Sequence, residues 1–180
     1  MVLRNEPHPQ HVHPTGRLAA ADVRIRPYSD SDVPAIVDLA LRAWEPVFGS
    51  VESTLGSDIF RKLHTDWRAN HRQSVEEAVA AKSTATWVAD TGERVVGFAI
   101  GLLHRRTAIG ELLMLAVDTA HQNGGIGALL TTQAVDWMKE AGMTLAMVET
   151  GGEPSQIAAR RTYEKAGFTL LPIARYFMAL

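Results

Sequence analysis

Apolar and polar positions alternate from Val23 to Arg26, the period of two expected of a half-buried strand. The spacing then lengthens. Ile36, Leu39, Ala40 and Ala43 fall on one helical face, with Ser29 or Asp30 as a cap, Pro34 in the first turn and Pro46 near the end. Residues 50–82 read as broken helix, with Ile59, Leu63 and Trp67 at spacing four, followed by Val75, Ala78 and Val79. From Thr84 the pattern turns to strands, expected over Thr84–Ala89, Arg94–Leu103 and Ile109–Val117, with Asp90-Thr91-Gly92-Glu93 as a hairpin turn. The second of these is nearly all apolar, which predicts cover on both faces. Gly125–Ala141 predicts an amphipathic helix closed by Gly142. Beyond it come a strand over Thr144–Thr150, a helix over Ser155–Ala166, and strands over Phe168–Leu171 and Arg175–Leu180. The order βααβββαβαββ is that of an α/β (α+β) fold, a mixed sheet with helices on both faces.

Composition narrows the function. The chain has 180 residues, 46% of them hydrophobic, enough for one domain with a sizeable core. Residues 1–21 carry three prolines, a glycine and His8, His11 and His13 without apolar period. They are expected to form a polar tail, with the domain spanning 22–180 and no metal site. Formal net charge is -2, which gives no general field for nucleic acid; only a local patch such as Arg160, Arg161 and Lys165 is basic. There are no cysteines, which excludes disulfides, thiolate metal sites and a cysteine acyl-enzyme. No apolar run approaches the ~18 residues of a membrane span. A cytoplasmic protein is expected.

The most informative segment is Gln122-Asn123-Gly124-Gly125-Ile126-Gly127-Ala128, which follows an apolar strand and opens a helix. The first turn of a helix leaves backbone N–H groups unpaired, and the helix dipole adds roughly half a positive charge there. Glycine lets a diphosphate approach that backbone closely and lets the chain take positive φ. A nucleoside triphosphatase loop would end in Lys-Ser/Thr, and a dinucleotide fold would space three glycines differently.

This segment fits the Gln/Arg-x-x-Gly-x-Gly/Ala signature of the N-acetyltransferase (GNAT) superfamily, which the chain resembles from about Val23 onward. Leu115-Ala116-Val117-Asp118 looks like that family's fourth strand, and Ala158–Phe168 is similar to its C-terminal helix and following strand. The resemblance implies a GNAT-like, mostly antiparallel sheet whose fourth and fifth strands splay apart around acetyl-coenzyme A. Backbone of Leu115, Ala116 and Val117 would pair with the pantetheine arm, and the N–H groups of Gln122–Ala128 would hold the diphosphate. Tyr163 aligns with the tyrosine that faces the thioester sulfur. Gln156 stands where the family often has an asparagine that contacts pantetheine.

Acetyl transfer to an amine needs a neutral amine, donors for the tetrahedral oxyanion and a partner for the departing thiolate. Tyr163 is the expected donor to sulfur, and the N–H of Ala116 or Val117 the expected oxyanion donor. Glu111 is the expected base, acting through water, with Glu149 and His104 as alternatives. Trp44, Phe48 and Trp67 are expected to wall the acceptor cleft. The expected activity is acetyl transfer from acetyl-coenzyme A to a primary amine of a small molecule or peptide, by direct attack and without a metal. A non-catalytic acetyl-coenzyme A sensor is the alternative. The expected partners are acetyl-coenzyme A and an unidentified amine, with a homodimer left open and neither nucleic acid nor membrane involved.

Overall fold

A computed structural model describes residues 22–180; the tail expected over residues 1–21 lies outside them. Strand β1 (Arg24–Pro27) is followed by three helices, α1 (Val33–Leu55), α2 (Ser57–Leu63) and α3 (Trp67–Ala80). Strands β2 (Thr84–Asp90), β3 (Val95–His104) and β4 (Ile109–Val117) come next, then helix α4 (Ile126–Glu140), strand β5 (Leu145–Val148) and helix α5 (Ile157–Lys165). The five strands form one sheet in chain order, antiparallel except for the parallel β4–β5 pair.

Each face of the sheet carries its own core. On one, Ile36, Leu39 and Ala40 of α1 and Val75, Ala78 and Val79 of α3 pack on Val88, Phe98, Ile100 and Ala116. On the other, Ile126, Leu130, Ala134 and Met138 of α4 and Tyr163 of α5 pack on Ala89, Val96, Ala99, Leu112 and Val117. Strand β3 is buried on both faces, as its apolar run predicts. The hairpin turn forms around Gly92, whose φ is 87° and whose N–H donates to Asp90 Oδ1 at 2.7 Å.

Two expectations are corrected. Pro46 does not end the first helix, which runs on to Leu55. Proline removes one helical hydrogen bond, but continuing the helix stacks Phe48 on Trp67 of α3 at 4.4 Å between ring centroids. Residues 50–82 therefore hold the end of α1 and two further helices, one helix more than expected. The strands expected over Phe168–Leu171 and Arg175–Leu180 do not form within the single chain. A strand needs a neighbour, and the segment after Phe168 makes no backbone–backbone hydrogen bond among the described residues.

Candidate active site

Strands β4 and β5 pair only over Ile109–Leu112 and Leu145–Val148. Past Leu112, β4 continues to Val117 held by β3 alone. Its other edge is open, so the two strands enclose a wedge with its apex at Leu112 and Val148. Leu115, Ala116 and Val117 lie along the open stretch.

The register of β4 against β3 shifts once, Met114 facing Ile100 while Leu112 faces Gly101. Leu113 is the extra residue of this bulge. Leu113 and Met114 accordingly both pack toward the α1 face, whereas Leu112 and Leu115 turn to the α4 face. A bulge frees the extra residue from the ladder and re-aims its backbone. Four apolar residues in a row, Leu112 to Leu115, gave no sequence signal of it.

The chain leaves β4 through Asp118, which accepts the N–H of Ala120 at 3.0 Å, is bound by Arg42 at 3.3 Å, and lies 3.4 Å from the buried ring of His121. Gln122 Nε2 donates to the carbonyl of Val117 at 3.1 Å, tying the turn to the end of the strand. Asn123 and Gly125 then take positive φ, 62° and 89°, on either side of Gly124. Such a conformation points successive backbone N–H groups into one concavity. Helix α4 starts directly after it with no side chain capping its first turn. The nearest side-chain atoms to a methyl group at Gly127 would be those of Val117, Leu115 and Thr162, at 3.8–3.9 Å. This places the start of α4 between the end of β4 and the α5 residue preceding Tyr163. The turn and helix start thus fit a diphosphate: free N–H donors, positive dipole and no side chain in the way.

Tyr163 is buried in the α4-side cluster with Leu112 and Val117, its ring edge-on to Phe168 at 6.1 Å. Burial pushes its hydroxyl up to about 12, so it remains a neutral donor throughout the physiological range. Gln156 precedes α5, its side-chain oxygen accepting from Thr150 at 3.0 Å. Arg160 is not part of a free basic patch; it donates to the carbonyls of Gly151 at 2.6 Å and Glu153 at 3.2 Å, holding the loop after β5.

Glu111 lies at the start of β4. Side chains alternate along a strand, and Gly110 and Leu112 face α4, so Glu111 is on the α1 face. There its carboxylate meets His104 Nε2 at 2.7 Å, with the glutamate side chain one-fifth exposed. Glu149 sits beyond β5, mostly exposed and paired with Arg175 at 3.6 Å.

On that same side, α1 contacts the turn Pro154–Gln156. Trp44, Phe48 and Trp67 form one aromatic group between α1 and α3, which also takes in Phe60, His64 and His71. The two histidines were not legible in the sequence, because helical spacing does not register contacts between different helices. Burial depresses the pKa of His71, and its Nε2 is buried without a hydrogen-bond partner among the described residues. A wide depression of about 500 Å³ near Arg26, Asp90 and Asp118 is lined by ion pairs and lies away from the wedge. Among the described residues no group of three or more His, Cys, Asp or Glu could hold a metal ion, and no helix is long and apolar enough to cross a membrane.

Residues 35–168 match the model of the Acetyltransferase (GNAT) family. Among curated proteins, the mycothiol acetyltransferase of Streptosporangium roseum is 38% identical over 66 residues, 37% of this chain and 19% of that protein. That of Thermomonospora curvata is 27% identical over 180 residues, 87% of this chain and 57% of that protein. The chain thus spans between 19% and 57% of the length of these relatives. Among solved structures, the aminoglycoside antibiotic 6'-N-acetyltransferase of Acinetobacter haemolyticus superposes with a TM-score of 0.62 at 17% identity, covering 87% of this chain and 98% of that one. The PaiA N-acetyltransferase of Thermoplasma acidophilum, solved with coenzyme A, gives 0.63 at 16% identity, covering 84% and 92%. At these identities the likeness is one of fold.

Proposed function

Because the chain belongs to the acetyltransferase (GNAT) family, we propose that it transfers the acetyl group of acetyl-coenzyme A to a primary amine of a small molecule or peptide, by direct attack. One observation carries this reading: the open edge of β4 leads straight into a positive-φ turn and an uncapped helix start. An extended arm can pair with the first while its diphosphate sits on the second.

With the diphosphate on Gln122–Ala128, the arm runs back along Val117, Ala116 and Leu115, and the thioester lies toward the apex of the wedge. The bulge at Leu113 then offers a better-aimed N–H for the oxyanion than Ala116 or Val117 further along the strand. Tyr163 supports the departing sulfur. A hydroxyl at about 12 is a weaker acid than a thiol near ~8.5, so it stabilises the thiolate by hydrogen bonding rather than by complete transfer of its proton. Gln156 keeps its amide N–H₂ for the arm while its oxygen is held by Thr150.

Glu111 and His104 together accept the proton of the amine through water. Glu111 is two residues before the bulge, roughly 7 Å along a strand, a separation that water can bridge. The amine enters from the α1 side, where Trp44, Phe48 and Trp67 form an apolar wall. The absence of cysteine agrees with a reaction that needs no cysteine acyl-enzyme. Titration calorimetry with acetyl-coenzyme A, followed by a panel of amines assayed for released thiol, tests the proposal. Binding to one site per chain and turnover with at least one amine are expected; no binding at millimolar ligand removes the reading.

A further inference from the structure

We infer, resting on the function proposed above, that His121 is a positioning residue for the diphosphate turn: its buried ring ties the turn to Arg94 at the β2–β3 hairpin and to Asp118 at the end of β4. His121 closes the short turn Thr119–His121 and immediately precedes Gln122. It is only 5% exposed, yet no step of acetyl transfer uses its ring. That ring lies between two groups of opposite character. Nε2 is 3.3 Å from Arg94 Nη2, and Nδ1 is 3.4 Å from Asp118 Oδ1. A guanidinium only donates and a carboxylate only accepts. One tautomer serves both: the proton on Nδ1 is donated to Asp118, and Nε2 accepts from Arg94. Asp118 is itself fixed, by the N–H of Ala120 at 3.0 Å and by Arg42 at 3.3 Å, while its own N–H donates to the carbonyl of Val96 at 2.8 Å. The ring therefore links the hairpin, the end of β4 and, through Asp118, helix α1.

The turn needs support of this kind. Among the described residues, the backbone N–H groups of Gln122, Asn123, Gly124 and Gly125 make no hydrogen bond to a backbone carbonyl. They are the donors proposed for the diphosphate, so the turn cannot use them to hold its own shape. That shape comes instead from side chains: Gln122 on the carbonyl of Val117, and His121 between Asp118 and Arg94. Donors already in place when a ligand arrives cost little to order on binding. Removing the ring takes no donor from the ligand, but it frees the start of the turn to take other shapes. The loss should fall on the diphosphate and spare the arm and the thioester, which lie along β4.

Calorimetry with coenzyme A and kinetics with two acetyl donors test this on the full chain. His121→Leu keeps an apolar side chain in the core and removes both bonds. It should weaken coenzyme A binding at least tenfold and raise KM for acetyl-coenzyme A as much, with kcat at saturation within twofold of wild type. With S-acetylpantetheine, which has the arm but no diphosphate, kcat/KM should stay within twofold. Arg94 is exposed, so Arg94→Met breaks the same link without entering the core, and it decides the matter if His121→Leu does not fold. It should raise KM for acetyl-coenzyme A by at least fivefold, and the two substitutions together should do little more than His121→Leu alone. His121→Gln retains an acceptor for Arg94. It should recover most of the affinity when Arg94 is present and none of it beside Arg94→Met. Variants that bind coenzyme A like the wild type, losses that are equal with S-acetylpantetheine, or additive losses in the double variant each overturn the inference while leaving the proposed function standing. A wild type that binds no coenzyme A overturns that function and the inference with it.

Discussion

Tyr163 has two jobs that a single substitution separates. Its ring belongs to the core beneath β4 and β5, and its hydroxyl has no hydrogen-bond partner among the described residues. Tyr163→Phe keeps the ring and removes the donor. Catalytic rate should fall by ~10²-fold, the scale of a positioned acid–base group, with coenzyme A affinity and melting temperature nearly unchanged. Wild-type turnover would return Tyr163 to packing alone. Glu111 and Glu149 differ more than their like positions on neighbouring strands suggested. Glu111 is mostly buried against His104, whereas Glu149 is open to solvent and held by Arg175. Glu111→Gln should therefore lower kcat/KM at least tenfold, while Glu149→Gln leaves it near the wild-type value. Exchanged behaviour of the two variants would reverse the assignment.

At the scale of elements, the turn into α4 separates two kinds of glycine. Gly125 has φ 89°, which L side chains rarely adopt, so any replacement there strains the backbone whether or not a ligand binds. Gly127 has no such constraint and has room beside it. Gly127→Val should fold normally and weaken coenzyme A binding at least tenfold by calorimetry, because its side chain stands where the diphosphate approaches. Unchanged affinity would move the diphosphate elsewhere. A second device joins β1 to the start of α1 and the end of β2. Arg26 donates to Asp32 at 2.7 and 3.0 Å and to Asp90 at 2.8 Å. Hydrogen bonds from Arg26 hold both carboxyls below the usual carboxylate range, Asp32 far below it despite its burial. A carboxyl depressed in the folded state stabilises the fold above its unfolded pKa of about 3.9, and that contribution is lost as pH falls through the folded value. Melting temperature should thus drop steeply below about pH 4, and Arg26→Met should lower stability at neutral pH by about 2 kcal/mol and make the acid decline shallower. Parallel curves for the two proteins would contradict this account. Elements of this kind were legible wherever one period covered the whole element, as in α4, β3 and the hairpin at Gly92. Pro46 misled because a local rule about helix ends lost to packing of Phe48 across helices. The C-terminal strands misled because an apolar pattern reports readiness to pair, not the presence of a neighbouring strand.

For the whole molecule, the question is whether the wedge is already formed before anything binds. Both walls are held without a ligand: β4 by β3 over nearly its full length, and β5 by its pairing with β4 up to Val148 and by the cluster under α4 and α5. The turn at Gln122–Ala128 is pinned at both ends, by Gln122 on Val117 and by Ile126 in the core. A ligand that enters such a site orders little of the protein, so most of its binding free energy should appear as added stability of the folded state. At a hundredfold excess over Kd the gain is about 2.7 kcal/mol. For a chain of this size each kcal/mol raises the melting temperature by roughly 2–4 °C, so acetyl-coenzyme A at that excess should raise it by roughly 5–10 °C. Coenzyme A should do nearly as well, because the diphosphate and the arm are common to both. Adenosine triphosphate, which has phosphates but no arm for the edge of β4, should do much less at the same concentration. A shift as large with adenosine triphosphate would show that the turn binds phosphate without the wedge, and would leave the open edge of β4 without a ligand.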